Sequence, residues 1–381
     1  MIKSKKNIVV GFESKRIFEN ASGLGNYSRN TVNQLTTFYP HNRYKLFAPR
    51  LTKLYSPPNN IEVITPQSAF WRFFNSYWRL HKSHHQINKS ELDLFHGLSH
   101  VLPFNISKTG VPSVLTVHDL IYIRFPEYFK RFDRKMYATI TKNSCKRADK
   151  IIAISAQTKH DLIHYFKIEP SKIEVVYQTC NQLFLERVSE ESKLQLRAKL
   201  NLPDKYLLCV GTIEQRKNQL AILKALKAEQ IKTPIILAGK ATKYLTEINN
   251  YIAESGMQDQ VILLHNTTTE ELQGIYQMAE LMIYPSFFEG FGLPVIEAQA
   301  SQCPVITSNI SSLPEAGGEG AVYIDPNSVT EIGQAIQRLL SNEDLRKDLI
   351  SKGLKNIERF SEKSVAKNLM DVYSSILNTK E

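Results

Sequence analysis

Two glutamates that could share one ligand, Glu289 and Glu297, lie eight positions apart in the stretch YPSFFEGFGLPVIEAQASQCPVITSN. The apolar run LMIY, which ends at Tyr284, predicts a buried strand. The letters PVIEAQASQ predict a helix that begins near Pro294, because proline is favoured in the first helical turn. The loop between them therefore joins the carboxyl end of a strand to a helix N-terminus, where free backbone N–H groups favour phosphate.

This loop carries groups that suit a nucleotide sugar. Gly290 and Gly292 allow the backbone to approach a ligand without side-chain collision. Glu297, about one turn into the helix, can accept hydrogen bonds from a pair of hydroxyls, and Glu289 on the loop can meet a second polar group. A diphosphate on the helix, a ribose on one glutamate and a sugar on the other would use all of these groups. The alternative is a helix-capping glutamate beside two turn glycines.

Short apolar runs, each followed by a helical pattern, recur along the chain and predict an α/β fold. The first group consists of NIVVGF, PSVLTVHDL, KIIAIS and KIEVVY, and the second of YLLCVG, PIILAG, QVILLH, LMIYPS and PVITSN. This alternation is typical of βαβ units and a largely parallel sheet, which binds ligands at the carboxyl edge of its strands. We predict two doubly wound, Rossmann-like domains at residues 1–185 and 204–360. A linker region at 186–203 joins them, and a last helix lies within 361–381.

The bulk composition fits two globular domains. The chain has 381 residues, of which 42% are hydrophobic and 22% charged, and this length is too great for one ordinary core. No apolar run approaches the roughly 18 residues that a membrane span needs. The cysteines have no spacing typical of zinc sites or disulfides, so a reducing cytoplasm is the expected location.

Positive charge is concentrated in the first half of the chain. The net charge is +11, and residues 1–190 contain 28 basic and 14 acidic side chains, whereas the remainder contains 20 and 23. A basic half indicates an anionic partner, such as nucleic acid, an anionic membrane face or a phosphorylated ligand. The segment FWRFFNSYWRLHK, read as one helix, gathers aromatic side chains on one face with basic residues around it: Phe70, Phe74, Tyr77 and Trp78, with Arg72, Arg79 and Lys82. This pattern suits either a membrane-interface helix or a core-packed helix with a charged rim.

The letters EGFGLPVIEA resemble the E-x7-E signature of the retaining glycosyltransferases of family 4. VGTIEQRKNQ is similar to the phosphate-clamp loop of that family, and FHG…LP, TVHDL and ADKIIAISAQTKHDL are similar to its N-terminal signatures. The resemblance covers nearly the whole chain. It implies the GT-B architecture, in which two Rossmann-like domains face each other across a cleft and the C-terminal domain holds the donor. It also implies that the last helix returns to the N-terminal domain.

The resemblance implies a role for each candidate site residue. Lys217 occupies the position of the lysine that binds the donor phosphates, and Arg216 beside it would help to neutralise the diphosphate leaving group. Thr212 stands where many relatives carry an arginine. Glu297 would bind the ribose. The other implied contacts are His118 and Glu289 at the reacting centre, Gly25 and Leu293 at the donor phosphates, and Gly290, Phe291 and Gly292 at the donor sugar.

The predicted function is a retaining, metal-independent and cofactor-free transfer of a hexose from a nucleotide-diphosphate sugar to a saccharide or lipid-linked saccharide. VGTIEQRKN together with TVHDLIY…FPEYF most resembles bacterial mannosyltransferases that use GDP-mannose in surface polysaccharide synthesis. A UDP-hexose donor is the main alternative. A nucleotide-sugar epimerase and a non-catalytic protein that binds anionic polymers or membranes are the others. The protein is expected in the cytoplasm, with the basic N-terminal domain on the inner face of the cytoplasmic membrane and without a nucleic-acid partner.

Overall fold

The computed structural model describes residues 7–58 and 60–378. The chain divides into two compact α/β units. The first unit runs up to Thr179 and resumes at Glu362, and the second spans Cys180–Ser361.

The first unit contains a seven-stranded sheet in the order β3-β2-β1-β4-β5-β6-β7, in which every neighbouring pair is parallel. Its strands are β1 (Val9–Glu13), β2 (Arg43–Phe47), β3 (Ile61–Ile64), β4 (Leu94–Gly97), β5 (Ser113–Val117), β6 (Lys150–Ala153) and β7 (Ile173–Val175). Its first eight helices are α1 (Lys15–Glu19), α2 (Gly23–Phe38), α3 (Ala69–Phe73), α4 (Asn75–Tyr77), α5 (His84–Asn88), α6 (Ile121–Arg124), α7 (Arg131–Arg147) and α8 (Ala156–Phe166).

The second unit contains a six-stranded parallel sheet in the order β10-β9-β8-β11-β12-β13. Its strands are β8 (Leu207–Val210), β9 (Ile235–Ala238), β10 (Val261–Leu264), β11 (Leu281–Tyr284), β12 (Val305–Ser308) and β13 (Ala321–Ile324). Its helices are α9 (Glu190–Leu200), α10 (Gln219–Ala228), α11 (Leu245–Ser255), α12 (Thr269–Met278), α13 (Leu293–Ala300), α14 (Leu313–Gly317), α15 (Val329–Ser341) and α16 (Glu343–Ile357). Strands such as β8 and β11 are buried along their whole length, which explains their uninterrupted apolar sequences.

The last helix, α17 (Glu362–Leu377), belongs to the first unit and packs on α2. Its Tyr373 is fully buried, and the Tyr373 hydroxyl lies 2.7 Å from Nδ1 of His96 on β4. The apolar stripe of this helix therefore completes the core of the first unit.

The segment predicted as a linker, 186–203, contains helix α9 and packs within the second unit. The side chain of Ser189 caps the helix, and Asn201 ends it in the left-handed conformation. Lys199 pairs with Glu271 of α12 at 2.8 Å, and the Val188 N–H donates to Gln277 of the same helix. The polar composition of this segment thus reflects an exposed helix, and the unit boundary falls at Thr179 rather than at residue 185.

The aromatic and basic segment after β3 is not one helix. It forms α3, α4 and a π-helical turn at Trp78–Lys82. Trp78 is buried in the core, and Arg79 forms a two-pronged ion pair with the buried Glu13, at 2.6 and 2.9 Å. The prediction of one helix with Trp78 on the same face as Phe70, Phe74 and Tyr77 was therefore wrong, whereas core packing, the second alternative, holds for Trp78. The exposed aromatic side chains of the segment are Phe70, Phe73, Phe74 and Tyr77. Within the two described ranges, no helix is both long and apolar enough to cross a membrane.

Candidate active site

The loop between the two glutamates lies at the carboxyl end of β11 and leads into α13, as its sequence predicts. Gly292 immediately precedes the helix with φ 129°, a conformation that residues other than glycine rarely adopt. A Cβ at this position would lie 3.1 Å from the side chains of Ala316 and Leu313. Pro294 occupies the first turn of the helix. The glycine therefore serves the close packing of the turn as well as its backbone conformation.

The carboxylate of Glu289 is the centre of a dense polar cluster. Its Oε1 lies 2.6 Å from Nζ of Lys217 and 2.9 Å from a guanidinium nitrogen of Arg216. The same oxygen accepts hydrogen bonds from the hydroxyls of Ser286 at 2.6 Å and Tyr284 at 3.0 Å. The Glu289 side chain is only 12% exposed. One oxygen thus meets four donors, two of them cationic.

The charges of this cluster shift one another's pKa values. Burial alone would raise the pKa of Glu289, but the charges of Lys217 and Arg216 outweigh it and lower the pKa to about 2. Burial lowers the pKa of Lys217 against the opposing attraction of Glu289. Burial also disfavours the Arg216 charge, yet the pKa of Arg216 is raised because Glu289 and Glu214 flank it. Glu289 is therefore ionised at neutral pH and serves as the counter-ion of two cations.

The loop after β8 presents these cations. Arg216 and Lys217 lie in a short 3-10 turn, Gln215–Lys217, that precedes α10. Asn218 follows with φ 60°, and its side-chain amide donates to the carbonyls of Pro285 and Pro326 at 3.2 and 2.7 Å. The backbone N–H of Phe287 donates to the carbonyl of Arg216 at 2.9 Å. These bonds fasten the cationic loop to the glutamate loop.

The environment of Glu297 contrasts with that of Glu289. Glu297 lies in α13, and the buried hydroxyl of Tyr276 donates to its Oε2 at 3.2 Å. Burial raises the pKa of Glu297 to about 7, opposed only by that hydrogen bond. None of the ion pairs formed by the described part of the chain involves Glu297. This carboxyl group can therefore accept or donate hydrogen bonds near neutral pH, depending on its protonation state.

His118 lies in the first unit, directly after β5, and is buried. Its Nε2 is 3.0 Å from the carbonyl oxygen of Leu98, so Nε2 carries the hydrogen and Nδ1 is left as an acceptor. Burial, together with the nearby His100, lowers the pKa of His118 to about 3. The imidazole is therefore neutral at pH 7 and suited to accept a hydrogen bond from a hydroxyl.

The remaining predicted residues are Gly25, Gly290, Phe291 and Leu293. Gly25 lies in the first turn of α2, and a Cβ there would be 1.8 Å from the carbonyl oxygen of Asn20. The Phe291 ring is buried against Phe360, with ring centroids 5.3 Å apart. Gly290 is partly exposed in the glutamate loop, and Leu293 is the first residue of α13. The predicted phosphate and sugar contacts of these residues stay predictions.

The structure brings Lys217, Arg216 and Glu289 into direct contact, which sequence reasoning did not foresee. Sequence reasoning also missed Tyr284 and Ser286, whose hydroxyls donate to the Glu289 carboxylate. It missed Ser311 and Ser312 as well, which bond the Glu289 backbone. The Glu289 N–H donates to Ser311 Oγ at 3.1 Å, and the hydroxyl of Ser312 donates to the Glu289 carbonyl at 2.9 Å. Their positions in the sequence could have identified them. All four polar residues lie at or just beyond the carboxyl ends of β11 and β12, the edge at which parallel sheets bind ligands.

No group of three metal-ligating side chains is found among residues 7–58 and 60–378.

Comparison with known proteins identifies both units. The model of Glycosyltransferase Family 4 matches residues 22–180, and that of Glycosyl transferases group 1 matches residues 192–356. The chain is 29% identical to the O-antigen chain mannosyltransferase B of Escherichia coli over 286 residues, which are 74% of each protein. It is 27% identical to the O-antigen chain mannosyltransferase RfbU of Salmonella typhimurium over 241 residues, 63% of each.

The fold agrees with these matches. A glycosyltransferase from Rickettsia africae superimposes with a TM-score of 0.75 over 97% of this chain and 99% of its own, at 18% sequence identity. The predicted α/β GT-B fold is thereby confirmed. The two family models account for most of both units, and the chain belongs to the glycosyltransferases, with a family 4 domain followed by a group 1 domain.

Proposed function

We propose that this glycosyltransferase is a retaining, metal-independent hexosyltransferase of polysaccharide or glycolipid synthesis that uses GDP-mannose. The observation that carries the proposal is the cluster of Lys217 and Arg216 on Glu289, at the carboxyl edge of β8 and β11. These two strands are neighbours in the sheet, and this edge is where α/β sheets bind nucleotides.

The cluster suits the departure of a nucleoside diphosphate. When the bond between the anomeric carbon and the diphosphate oxygen breaks, negative charge develops on the diphosphate. Lys217 is buried and the Arg216 side chain is only 14% exposed, so both are preorganised cations that can stabilise this charge. The N-terminal amides of α13 supply further donors. Together these groups perform the task that a divalent cation performs in metal-dependent transferases.

Glu289 would exchange partners during this step. Its carboxylate forms ion pairs with both cations, and Arg216 forms a second ion pair with Glu214. A bound diphosphate would share those cations and leave carboxylate lone pairs free for hydroxyls of the transferred sugar. Glu297 would accept hydrogen bonds from the ribose, and Nδ1 of neutral His118 would accept one from a sugar hydroxyl.

Mannose is favoured because both O-antigen relatives reported above are named mannosyltransferases. We further propose that the acceptor is lipid-linked and that the enzyme works at the cytoplasmic face of a membrane. The exposed side chains of Phe70, Phe73, Phe74 and Tyr77 support this part of the proposal, since Phe73 alone is 81% exposed.

Thermal unfolding in the presence of nucleotides tests the donor. A ligand that binds only the folded state stabilises it by roughly 2.7 kcal/mol at a hundredfold excess over Kd. We expect GDP to raise the Tm and UDP, ADP and NAD to leave it unchanged. A shift with UDP alone would replace GDP-mannose by a UDP-hexose, and a shift with NAD alone would refute the transferase site.

A further inference from the structure

A chain of buried polar side chains in the first unit ends at a ring that packs against His118. The Tyr27 hydroxyl on α2 lies 3.1 Å from Oγ1 of Thr116 on β5. The same oxygen lies 2.8 Å from Nε2 of His96 on β4, whose Nδ1 is 2.7 Å from the Tyr373 hydroxyl. The chain therefore connects α2, the sheet and α17 through the core of one unit.

The polar atoms of this chain satisfy one another. Burial lowers the pKa of His96 to about 3, so its imidazole is neutral at pH 7, with one donor and one acceptor nitrogen. Each nitrogen has a hydroxyl within hydrogen-bond distance, one from Thr116 and one from Tyr373. All four side chains are at most 7% exposed. Because a buried hydroxyl without a partner is costly, the bond to Thr116 holds the Tyr27 ring in one place.

The Tyr27 ring in turn contacts the His118 imidazole. The two ring centroids are 4.6 Å apart, and the ring planes are almost perpendicular, at 89°. This edge-to-face arrangement is one that aromatic rings prefer. On its other contact, Nε2 of His118 lies 3.0 Å from the carbonyl oxygen of Leu98. That hydrogen bond fixes one ring atom, and the Tyr27 ring restricts rotation of the imidazole about it.

We propose that Tyr27 is a positioning residue, which holds the His118 imidazole in the orientation in which Nδ1 accepts a hydrogen bond from the transferred sugar. Tyr27 acts only through His118 in this role. The use of His118 in transfer belongs to the proposed function, on which this inference rests, whereas the orientation of the imidazole is a property of the protein without ligands. A displacement of about 1 Å in a catalytic group can lower the rate by about 100-fold, so the packing of one ring has a measurable effect.

A double-mutant cycle tests whether Tyr27 acts through His118. Y27L removes the ring and is expected to lower kcat at least about tenfold, with less than about a twofold change in the KM for the donor. Y27F keeps the ring and should lower kcat by no more than about threefold. In an H118A background, Y27L should lower kcat by less than about twofold, because the group that Tyr27 positions is absent. The same loss in both backgrounds, or an unchanged kcat in Y27L, would overturn the proposal.

Nuclear magnetic resonance of the histidine ring nitrogens tests the orientation without donor or acceptor. The chain has ten histidines, and in protein with isotope-labelled histidine the His118 signal is identified by its absence from H118A. At pH 7 the native protein and Y27F should show one neutral tautomer of His118, with the hydrogen on Nε2. Y27L should show a mixture of the two tautomers or an exchange-broadened signal. A His118 signal in Y27L that is identical to the native one would contradict the proposal.

The control Y44L removes another buried tyrosine of the first unit. Tyr44 on β2 is 1% exposed, its hydroxyl donates to the carbonyl of Leu35 at 2.9 Å, and its ring stacks on Phe12 rather than on His118. Y44L should lower the Tm as Y27L does, yet change kcat by less than about twofold and leave the His118 signal unchanged. A loss of kcat in Y44L equal to that in Y27L would show that Tyr27 acts through general stability, and would refute its positioning role.

Failure of the proposed function is recognised separately. It fails if the native protein transfers no sugar from GDP-mannose or a UDP-hexose, or if H118A is fully active. In either case the His118 signal of Y27L alone decides whether Tyr27 orients the imidazole.

Discussion

Replacing Glu289 by glutamine removes the anion that Lys217 and Arg216 share and leaves the size of the side chain almost unchanged. In the folded protein the pKa of Glu289 is lowered to about 2 from an ordinary value of 4.5. One pKa unit corresponds to about 1.4 kcal/mol. The ionised carboxylate therefore stabilises the fold by about 3 kcal/mol at pH 7, and E289Q is expected to lose an amount of this order.

The pH dependence of this loss has a definite sign. Because the folded-state pKa is depressed, the stabilisation is complete above pH 4.5 and disappears as the pH falls toward 2. Urea unfolding of the native protein and of E289Q at pH 7, 5 and 4 measures it. The difference in unfolding free energy should be constant between pH 7 and 5 and should be smaller by roughly 1 kcal/mol at pH 4.

The same substitution should separate donor binding from transfer. Without the carboxylate the cluster gains one unit of positive charge, which at about 5 Å and an effective dielectric constant of 20 is worth up to ~3 kcal/mol toward an anion. Because each increment of about 1.4 kcal/mol is a factor of ten, E289Q should bind GDP more tightly, by between about tenfold and about a hundredfold in calorimetry, and should transfer no sugar. The control E254Q, on the exposed surface of α11, should match the native protein in both assays. An E289Q variant that is as stable as the native protein and fails to bind GDP would refute this reasoning.

Three further changes probe neighbouring contacts. The raised pKa of Glu297, about 7, makes ionisation of the folded carboxyl group costly. E297Q should therefore become more stable than the native protein as the pH rises from 4.5 to 7, by roughly 3 kcal/mol at pH 7. Equal urea midpoints of the two proteins across this range would contradict the burial of that group. Y284F removes the hydroxyl that lies 2.5 Å from Nζ of Lys217 and donates to the Glu289 carboxylate. We expect kcat to fall at least about tenfold, with a smaller change in the KM for the donor. An unchanged kcat would show that Tyr284 only fills space. G25A places a methyl group 1.8 Å from the carbonyl of Asn20, so the variant should unfold several degrees below the native protein, and a Tm equal to that of the native protein would mean that this turn relaxes freely.

The strand-to-helix loop around Glu289 could be predicted from the sequence because its information is local. The apolar run of β11, the glycine that needs φ 129° and the proline in the first turn of α13 each carry their own structural requirement. The contact between Glu289 and Lys217 could not be predicted, because the two residues lie 72 positions apart and meet only through the pairing of β8 with β11. Only that register brings the two loops to one edge.

Amphipathic patterns were less informative than these local signals. The pattern around Trp78 and Arg79 suited either a membrane-interface helix or a core-packed helix, and it gave no sign of the π-helical turn that places the tryptophan in the core. The arginine finds the buried Glu13, which comes from a distant strand. None of the 11 residues of helix α9 is buried, so its sequence is polar and has no apolar stripe. For this reason the sequence predicted a linker rather than a helix. In both cases the partner that decides the structure lies outside the segment.

Transfer of label from GDP-mannose carrying tritium in the sugar tests both the proposed donor and the role of Glu289 in transfer. The native protein is incubated with this donor and a bacterial membrane fraction, in parallel with E289Q and with the control E254Q. The native protein and E254Q should move tritium into the lipid-extractable or polysaccharide fraction, and E289Q should not. Equal incorporation by E289Q, or incorporation by none of the three with either GDP-mannose or a UDP-hexose, would contradict the proposed function.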